Sequence, residues 1–196
     1  MRVLVACEFS GIVREAFASL GHDAWSCDLL PTEQEGNHLQ GDVISVLRDG
    51  WDLMVAHPPC TFLANSGVRW LYGGKGKVID ENRWREMELS SNFFKALLNA
   101  PIKRKAIENP IMHMHAKKII GREYSQIIQP YQFGHGETKA TCLWLENLLP
   151  LKPTRIVEDR VARVHKEPPS PERWKNRSRA LKGIAEAMAQ QWGTYL

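Results

Sequence analysis

The sequence predicts an α/β fold in which helices cover both faces of a mostly parallel sheet, a three-layer αβα, Rossmann-like arrangement. Residues 53–56 form an apolar run without alternation, which is typical of a buried parallel strand, and the prolines at 58–59 prevent that strand from continuing. Residues 2–7 show the same strand pattern and precede a tight turn and a helical apolar spacing over residues 12–20. A third run, at residues 103–107, also ends near a proline. Strands that alternate with helices are therefore expected.

The other elements continue this alternation. We predict a second strand over residues 22–27, an amphipathic helix over 82–99, paired strands over 125–133 and 141–145, and a closing helix over 180–192. The residues expected on the apolar side of the long helix are Trp84, Met87, Leu89, Phe93, Phe94, Leu97 and Leu98.

Length and composition favour one globular domain, over residues 1–196, with a net charge of only +4. No run approaches 18 apolar residues and the strand pattern starts at the N-terminus, so we expect no membrane span, no signal peptide and a cytoplasmic location. The four cysteines are widely spaced, without a Cys-x-x-Cys pair, which indicates reduced thiols and no metal site.

Cys60 is the first candidate for chemistry. It lies just beyond the predicted strand 53–56, and open α/β sheets bind ligands at the carboxyl ends of their strands. A thiol there is a candidate nucleophile; the alternative is a small buried core residue. Glu108 and Asn109 occupy the same position on the strand that ends at Pro110, so they are expected to lie near Cys60.

Two acids near the predicted N-terminal strands are candidate ligands of a nucleoside. Asp28 follows the turn at Ser10 and Gly11 by about 20 residues, the spacing at which dinucleotide folds place an acid on a ribose. Asp42 is placed to accept from an amino group such as an adenine N6. The alternatives are a turn near Pro31 for Asp28 and a helix cap for Asp42. Backbone N–H groups at Ser10 and Gly11 are expected to face a bound polar or anionic group.

Two segments suit contact with nucleic acid. Residues 68–77 combine glycines with interleaved aromatic residues and cations, including Arg69, which favours a lid over the site; an ordinary exposed loop is the alternative. Between residues 152 and 182 there are ten lysines and arginines against four acids, enough to follow phosphates, although a solvated surface is equally compatible with this excess. Residues 150–179 are expected to be irregular.

Taken together, these motifs resemble the DNA cytosine-5 methyltransferase family, and in particular its short phage-type members. The matching residues, in the family's order, are Phe9-Ser10-Gly11, Asp28, Asp42-Val43, Pro58-Pro59-Cys60 and Glu108-Asn109-Pro110. The resemblance implies a class I S-adenosylmethionine-dependent methyltransferase fold, S-adenosylmethionine as cofactor and DNA as partner.

The resemblance also implies roles for these residues. Cys60 and Glu108 would be catalytic. The donor would be bound by Phe9, Ser10, Gly11, Asp28, Asp42, Val43 and Pro58, and the substrate by Pro59, Asn109 and Lys139, with Arg69 added from the predicted lid.

The sequence departs from the family pattern at several positions. Val13 replaces the second donor-loop glycine, His57 stands where a glycine is usual, and Thr61 replaces a glutamine. The family's Gln-x-Arg-x-Arg corresponds to residues 137–141, in which Lys139 is the one matching cation. After Lys139 there is no room for a large target-recognition domain, and the basic segment 150–179 stands in its place.

The chemistry accounts for the catalytic residue types. Carbon 5 of cytosine is a poor nucleophile, so a thiolate from Cys60 must first add at carbon 6. A carboxylic acid near ring N3 favours that addition, which suits Glu108 if burial raises its pKa. Cys60 itself is expected to be activated by its surroundings, with His57 as a candidate contributor. The base must be flipped out or single-stranded.

Two other functions remain open from the sequence. The same fold and thiol chemistry would serve a free pyrimidine nucleotide or RNA, which the missing recognition domain favours. A catalytically impaired module that binds nucleic acid through residues 152–182 is the other alternative, favoured by the altered 137–141 stretch and opposed by Cys60 and Glu108.

Overall fold

The computed structural model describes residues 1–73, 78–163 and 167–194 and has a seven-stranded sheet at its centre. Its strands are β1 (Arg2–Ala6), β2 (Asp23–Asp28), β3 (His38–Gln40), β4 (Leu53–Ala56), β7 (Arg104–Pro110), β8 (Gln126–Ile128) and β9 (Thr141–Glu146), and a separate hairpin joins β5 (Tyr72–Gly73) to β6 (Val78–Ile79). The sheet order is β3-β2-β1-β4-β7-β9-β8. The first five strands of that order are parallel, and β9 runs antiparallel to both β7 and β8.

Helices lie on both faces of this sheet. They are α1 (Ile12–Ala18), α2 (Glu81–Leu98), α3 (Met114–Ile120), α4 (Arg173–Ser178) and α5 (Lys182–Gly193). The helices α1 and α5 pack on one face, and α2 and α3 on the other. The predicted three-layer, Rossmann-like α/β fold is confirmed. No helix of the described residues is long and apolar enough to cross a bilayer.

Burial on both faces explains why the central strands lack hydrophobic alternation. In β1, Val3 and Val5 pack towards α1 and α5, whereas Leu4 and Ala6 pack towards α2 and α3, and all four are fully buried. A strand that is buried on both sides needs apolar residues at every position. The sequence predicted the strands 2–7 and 53–56 from this property.

Successive strands are added on one side of β1 up to β3 and then on its other side from β4, and this change of side determines where a ligand can bind. Strand β2 lies on one side of β1 and β4 on the other, with Ala6 opposite Ala56 in the parallel register. The loops that follow β1 and β4 therefore leave the sheet side by side at its carboxyl edge. Such a topological switch point is where open α/β sheets form their binding crevice.

Several predicted elements need correction. The first helix ends at Ala18 rather than at residue 20, and Leu20 is exposed. On α2, Leu89 is also exposed, because it lies about 200° around the helix from the buried Met87. Residues 130–132 form a 3-10 helix, which shortens the strand predicted over 125–133 to β8.

The two segments assigned to nucleic acid are more ordered than predicted. Residues 68–71 belong to a 3-10 helix, Asn65–Leu71, and residues 72–73 and 78–79 form the β5–β6 hairpin, while residues 74–77 of the predicted lid lie outside the described residues. The segment 150–179 is irregular only in part, because α4 lies within it. It folds back along the protein through β-bridges such as Glu137 to Val161.

One buried cation ties the polar loop after β2 to the first helix. The side chain of Arg14 is inaccessible to solvent and donates to the hydroxyls of Ser26 and Thr32 and to the carbonyls of Gln34 and Glu35. A methionine at this position would fill much of the volume but leave these acceptors without a donor.

Replacing Arg14 by methionine is therefore expected to lower the free energy of unfolding by about 3 kcal/mol, measured by urea denaturation at neutral pH. Arg48→Met, at an exposed position, is the matched control and should change the stability by less than about 0.5 kcal/mol. Equal losses in the two variants would show that the buried hydrogen bonds contribute nothing.

Candidate active site

The turn after β1 is built around a buried carboxylate. Glu8 accepts hydrogen bonds from the N–H groups of Val13 (2.7 Å) and Arg14 (3.2 Å) and from the hydroxyl of Ser10 (3.2 Å). Gly11 has a φ of 73°, in the left-handed region that favours glycine, which lets the chain turn sharply into α1. Glu8 thus occupies the N–H groups of Val13 and Arg14, and the prediction that the N–H groups of Ser10 and Gly11 face a bound polar or anionic group stays a prediction.

The two predicted donor acids lie near each other at the same edge of the sheet. Asp28 accepts from the N–H of Leu30 (2.9 Å), and burial raises the pKa of Asp28 although that hydrogen bond opposes the change. Asp42 caps the 3-10 helix Val43–Val46 by accepting from Ile44 (3.0 Å). One carboxylate oxygen of Asp28 therefore stabilises a turn and one of Asp42 caps a helix, which are the alternative roles that the sequence offered for them. Val43 packs into the core and is only 4% exposed.

The C-terminal part of the chain covers the turn after β1, a contact that the sequence did not predict. The ring of Trp174 lies 6.1 Å from that of Phe9, and the guanidinium of Arg179 lies 6.0 Å from the Phe9 ring centroid. Arg179 is held there by two hydrogen bonds to the Glu33 carboxylate, of 2.7 and 2.8 Å. Phe9 is consequently 93% buried, with 7% of its surface exposed.

The loop after β4 is held in place by the neighbouring strand. Asn109, at the end of β7, donates from Nδ2 to the carbonyl of Pro58 (3.0 Å) and is 1% exposed. The carbonyl of Cys60 accepts from the N–H groups of Leu63 and Ala64. Pro58 is buried and Pro59 is exposed. Asn109 is therefore placed to position the cysteine loop, and its predicted contact with the base stays a prediction.

Glu108 forms a pair with His57 that the sequence did not predict. The Nδ1 atom of His57 lies 2.9 Å from Oε2 of Glu108, so the histidine partner is the carboxylate and not the thiol. Burial raises the pKa of Glu108, but the hydrogen bond from His57 and the positive charge of Lys139 outweigh that effect, and the pKa is lowered overall. The prediction of a raised pKa is wrong for the free protein, in which Glu108 is a carboxylate at neutral pH.

The Cys60 thiol is protonated in the free protein. Burial raises its pKa, the negative charge of Glu108 raises it further, and the positive charges of Lys139 and Arg177 lower it without cancelling the increase. The expectation that its surroundings already activate Cys60 is therefore wrong for this state. In the free protein the proton therefore stays on Cys60, and the negative charge of Glu108 contributes to keeping it there.

Two predicted substrate residues lie in different surroundings. Lys139 lines a small cavity of about 30 Å³ together with His57 and Glu108, and its Nζ atom donates to the carbonyl of Arg177 (3.2 Å). Arg69 lies apart, on the exposed 3-10 helix that follows the cysteine loop, with its guanidinium 4.6 Å from the centroid of the Trp70 ring. The structure thus places Lys139 beside His57 and Glu108 and leaves Arg69 on the surface.

Comparisons with known proteins identified similar structures only. No protein-family model matches the chain, and no curated protein sequence matches it. Similar solved structures include a prophage-encoded protein of E. coli described as a DNA modification methyltransferase (14% identity, TM-score 0.48), the Entamoeba histolytica methyltransferase EhMeth (16%, 0.48) and the S. pombe Dnmt2 methyltransferase (16%, 0.41).

These alignments cover most of this chain but much less of the other proteins. They include 86%, 87% and 85% of this chain and 55%, 60% and 53% of the respective structures. The chain therefore spans little more than half the length of these structures. With its reversed β9, its switch point at β1 and its three layers, the chain has the three-layer, Rossmann-like α/β fold that its sequence predicts.

Proposed function

We propose that this chain transfers a methyl group from S-adenosylmethionine to carbon 5 of cytosine in DNA, through a covalent bond between Cys60 and carbon 6. The observation that carries the proposal is the convergence of two loops and the end of a third strand at one edge of the sheet. The turn after β1, the Cys60 loop after β4 and Glu108 near the end of β7 come from three neighbouring parallel strands. A donor and a base bound at this edge would meet at the thiol.

The residues around the turn after β1 fit a nucleoside donor without phosphates. Glu8 fills the position at the start of α1 where a dinucleotide would place its pyrophosphate, and its charge would repel one. Asp28 and Asp42 each use one oxygen locally, and the other suits a ribose hydroxyl or an adenine amino group. When bound there, S-adenosylmethionine supplies an electrophilic methyl group on a sulfonium.

The mechanism requires the Cys60 proton to move to Glu108, and the resting pKa shifts of the two groups oppose this transfer, so binding of the base has to favour it. At rest the proton is on sulfur, because both burial and the Glu108 charge disfavour the thiolate. Transfer of that proton to Glu108, directly or through water, creates the thiolate and a neutral carboxylic acid in one step. The thiolate then adds to carbon 6, while the acid donates a hydrogen bond to ring N3.

The addition makes carbon 5 nucleophilic, and this carbon takes the methyl group as the methyl–sulfur bond breaks, so that the donor leaves as a neutral thioether. Water that enters the site then accepts the proton from carbon 5, which restores the ring double bond and expels the Cys60 thiolate, and Glu108 returns the proton to sulfur. Asn109 keeps the cysteine loop at a fixed distance from β7 throughout, because it binds the Pro58 carbonyl. The proposed roles of Pro59 and Arg69 are contacts with the DNA outside the flipped base.

The test compares substrates under one set of conditions. Protein is incubated with donor labelled in the methyl group and with duplex DNA, single-stranded DNA, RNA or dCMP, and the label in each is counted. We expect label in DNA that co-migrates with 5-methylcytosine after digestion. Label in dCMP or RNA alone would contradict the DNA substrate, and label on another base position would contradict the thiol mechanism.

A further inference from the structure

A second cavity, of about 270 Å³, lies beside the catalytic pair. Its walls include Ile12 at the start of α1, Arg163, and residues of α4 and of the segment that leads into α5. It shares Lys139 and Arg179 with the small cavity that His57 and Glu108 line. A ligand in the larger cavity is therefore next to the base-binding position proposed above.

Two of the four cations that line this cavity are already paired with carboxylates of the protein. Arg163 bonds to Glu137 at 2.8 Å, and Arg179 bonds to Glu33. These two arginines are fixed by their partners and contribute little net charge to a ligand.

Arg177 is different. Its Nε atom is buried without an acceptor, and within residues 1–73, 78–163 and 167–194 its guanidinium has no hydrogen bond and no ion pair. An arginine with a buried N–H and no acceptor is unfavourable unless a ligand supplies one. The charge of Arg177 nevertheless acts on the site, because Arg177 and Lys139 both lower the pKa of Cys60.

We propose that Arg177, together with Lys139, binds a backbone phosphate of the nucleotide whose cytosine reacts with Cys60. A guanidinium presents a planar pair of donors that matches phosphate oxygens, and an ammonium adds a point charge. Both cations lie on the Cys60 and Glu108 side of the site, whereas the donor acids Asp28 and Asp42 follow β2 and β3. The proposal rests on the proposed function, because it places the phosphate relative to the cytosine.

The test is a binding cycle between a protein variant and a chemically altered phosphate. The probe is a single-stranded DNA 11-mer of thymidines with one central deoxycytidine. It is made with normal phosphates or with one neutral methylphosphonate on the 5′ or the 3′ side of that deoxycytidine. We expect the wild-type protein to lose about tenfold in affinity for one of the two altered probes. Arg177→Gln should bind the normal probe about tenfold more weakly than wild type does. Its affinity should not fall further with the methylphosphonate probe that weakens wild-type binding.

Two variants control for charge and folding. Lys175→Gln removes a cation from the same helix, but Lys175 pairs with Glu172 and does not line the cavity, so this variant should behave as wild type. Arg177→Lys should recover part of the lost affinity. Thermal unfolding of every variant, followed by circular dichroism, shows whether a loss reflects unfolding.

Each of the other outcomes contradicts either the phosphate site or the proposed reaction. If wild-type protein binds all probes equally, or if Arg177→Gln stays as sensitive to the methylphosphonate as wild type, the phosphate site does not exist. If Arg177→Gln instead loses affinity for S-adenosylmethionine, the cation binds the donor carboxylate and the proposal is overturned. If the coupling is found but no methyl group is transferred, the phosphate site stands and the proposed reaction falls.

Discussion

Replacement of Cys60 by serine is expected to lower the rate of methyl transfer to DNA at least about a thousandfold, while the affinity for S-adenosylmethionine stays unchanged. The physical reason is that a serine hydroxyl ionises far less than a thiol and does not form the bond to carbon 6 at neutral pH. The measurement is transfer of labelled methyl groups under single-turnover conditions.

The matched control for this variant is Cys142→Ala, which removes a buried thiol on β9 from the core. It should keep the transfer rate at a temperature where the variant is folded. DNA that contains 5-fluorocytosine gives a second readout, because fluorine blocks the final elimination. Wild-type protein should stay attached to this DNA in a denaturing gel, and Cys60→Ser should not. Undiminished turnover in Cys60→Ser would refute the thiol mechanism.

Glu108→Gln is expected to slow methyl transfer by about 10²- to 10⁴-fold, because glutamine does not accept the proton of Cys60 and donates a weaker hydrogen bond to ring N3. The control is Glu146→Gln, at the far end of β9. Glu146 pairs with Lys105 and Arg122, and its pKa is lowered, as is that of Glu108. This control should retain the wild-type rate. A rate loss of equal size in the two variants would indicate a general effect of charge.

The same substitution should change how stability depends on pH. The pKa of Glu108 is lowered in the folded protein, so its ionised form stabilises the fold above the ordinary pKa of a glutamate, about 4.3. That stabilisation is lost as the pH falls through the lower pKa of the folded state. The difference in unfolding free energy between wild type and Glu108→Gln should therefore shrink in acid; a difference that grows in acid would show that the pKa is raised.

The parts of the site that the sequence predicted correctly depend on short local patterns. An unalternating apolar run that ends at prolines identified β4, and this placed Cys60 at the carboxyl edge of the sheet. A short run that ends near a proline likewise placed Glu108 near the end of β7, next to β4 in the sheet. In each case a few consecutive residues determine both the strand and the position at its end.

The parts that were missed depend on contacts between distant residues. The His57–Glu108 pair joins residues 51 positions apart, and the Arg179–Glu33 pair joins residues 146 positions apart. Burial alone does not identify the partner of a histidine. It also does not give the direction in which the pKa of a carboxylate shifts, because that direction depends on which charges the fold brings close. The same holds for Arg177, whose Nε lacks an acceptor among the described residues, because the sequence of its segment shows only an excess of cations.

The contact of Trp174 and Arg179 with Phe9 has a consequence for how the protein is made. A ribosome completes every strand of the described residues before it synthesises the segment that carries Trp174 and Arg179 and the helix α5 that packs beside α1. A nascent chain at that stage contains Cys60 and Glu108, but the Phe9 ring at the turn after β1 still lacks its contacts with Trp174 and Arg179. The proposed donor site is therefore complete only late in translation, when the segment around Trp174 folds over Phe9.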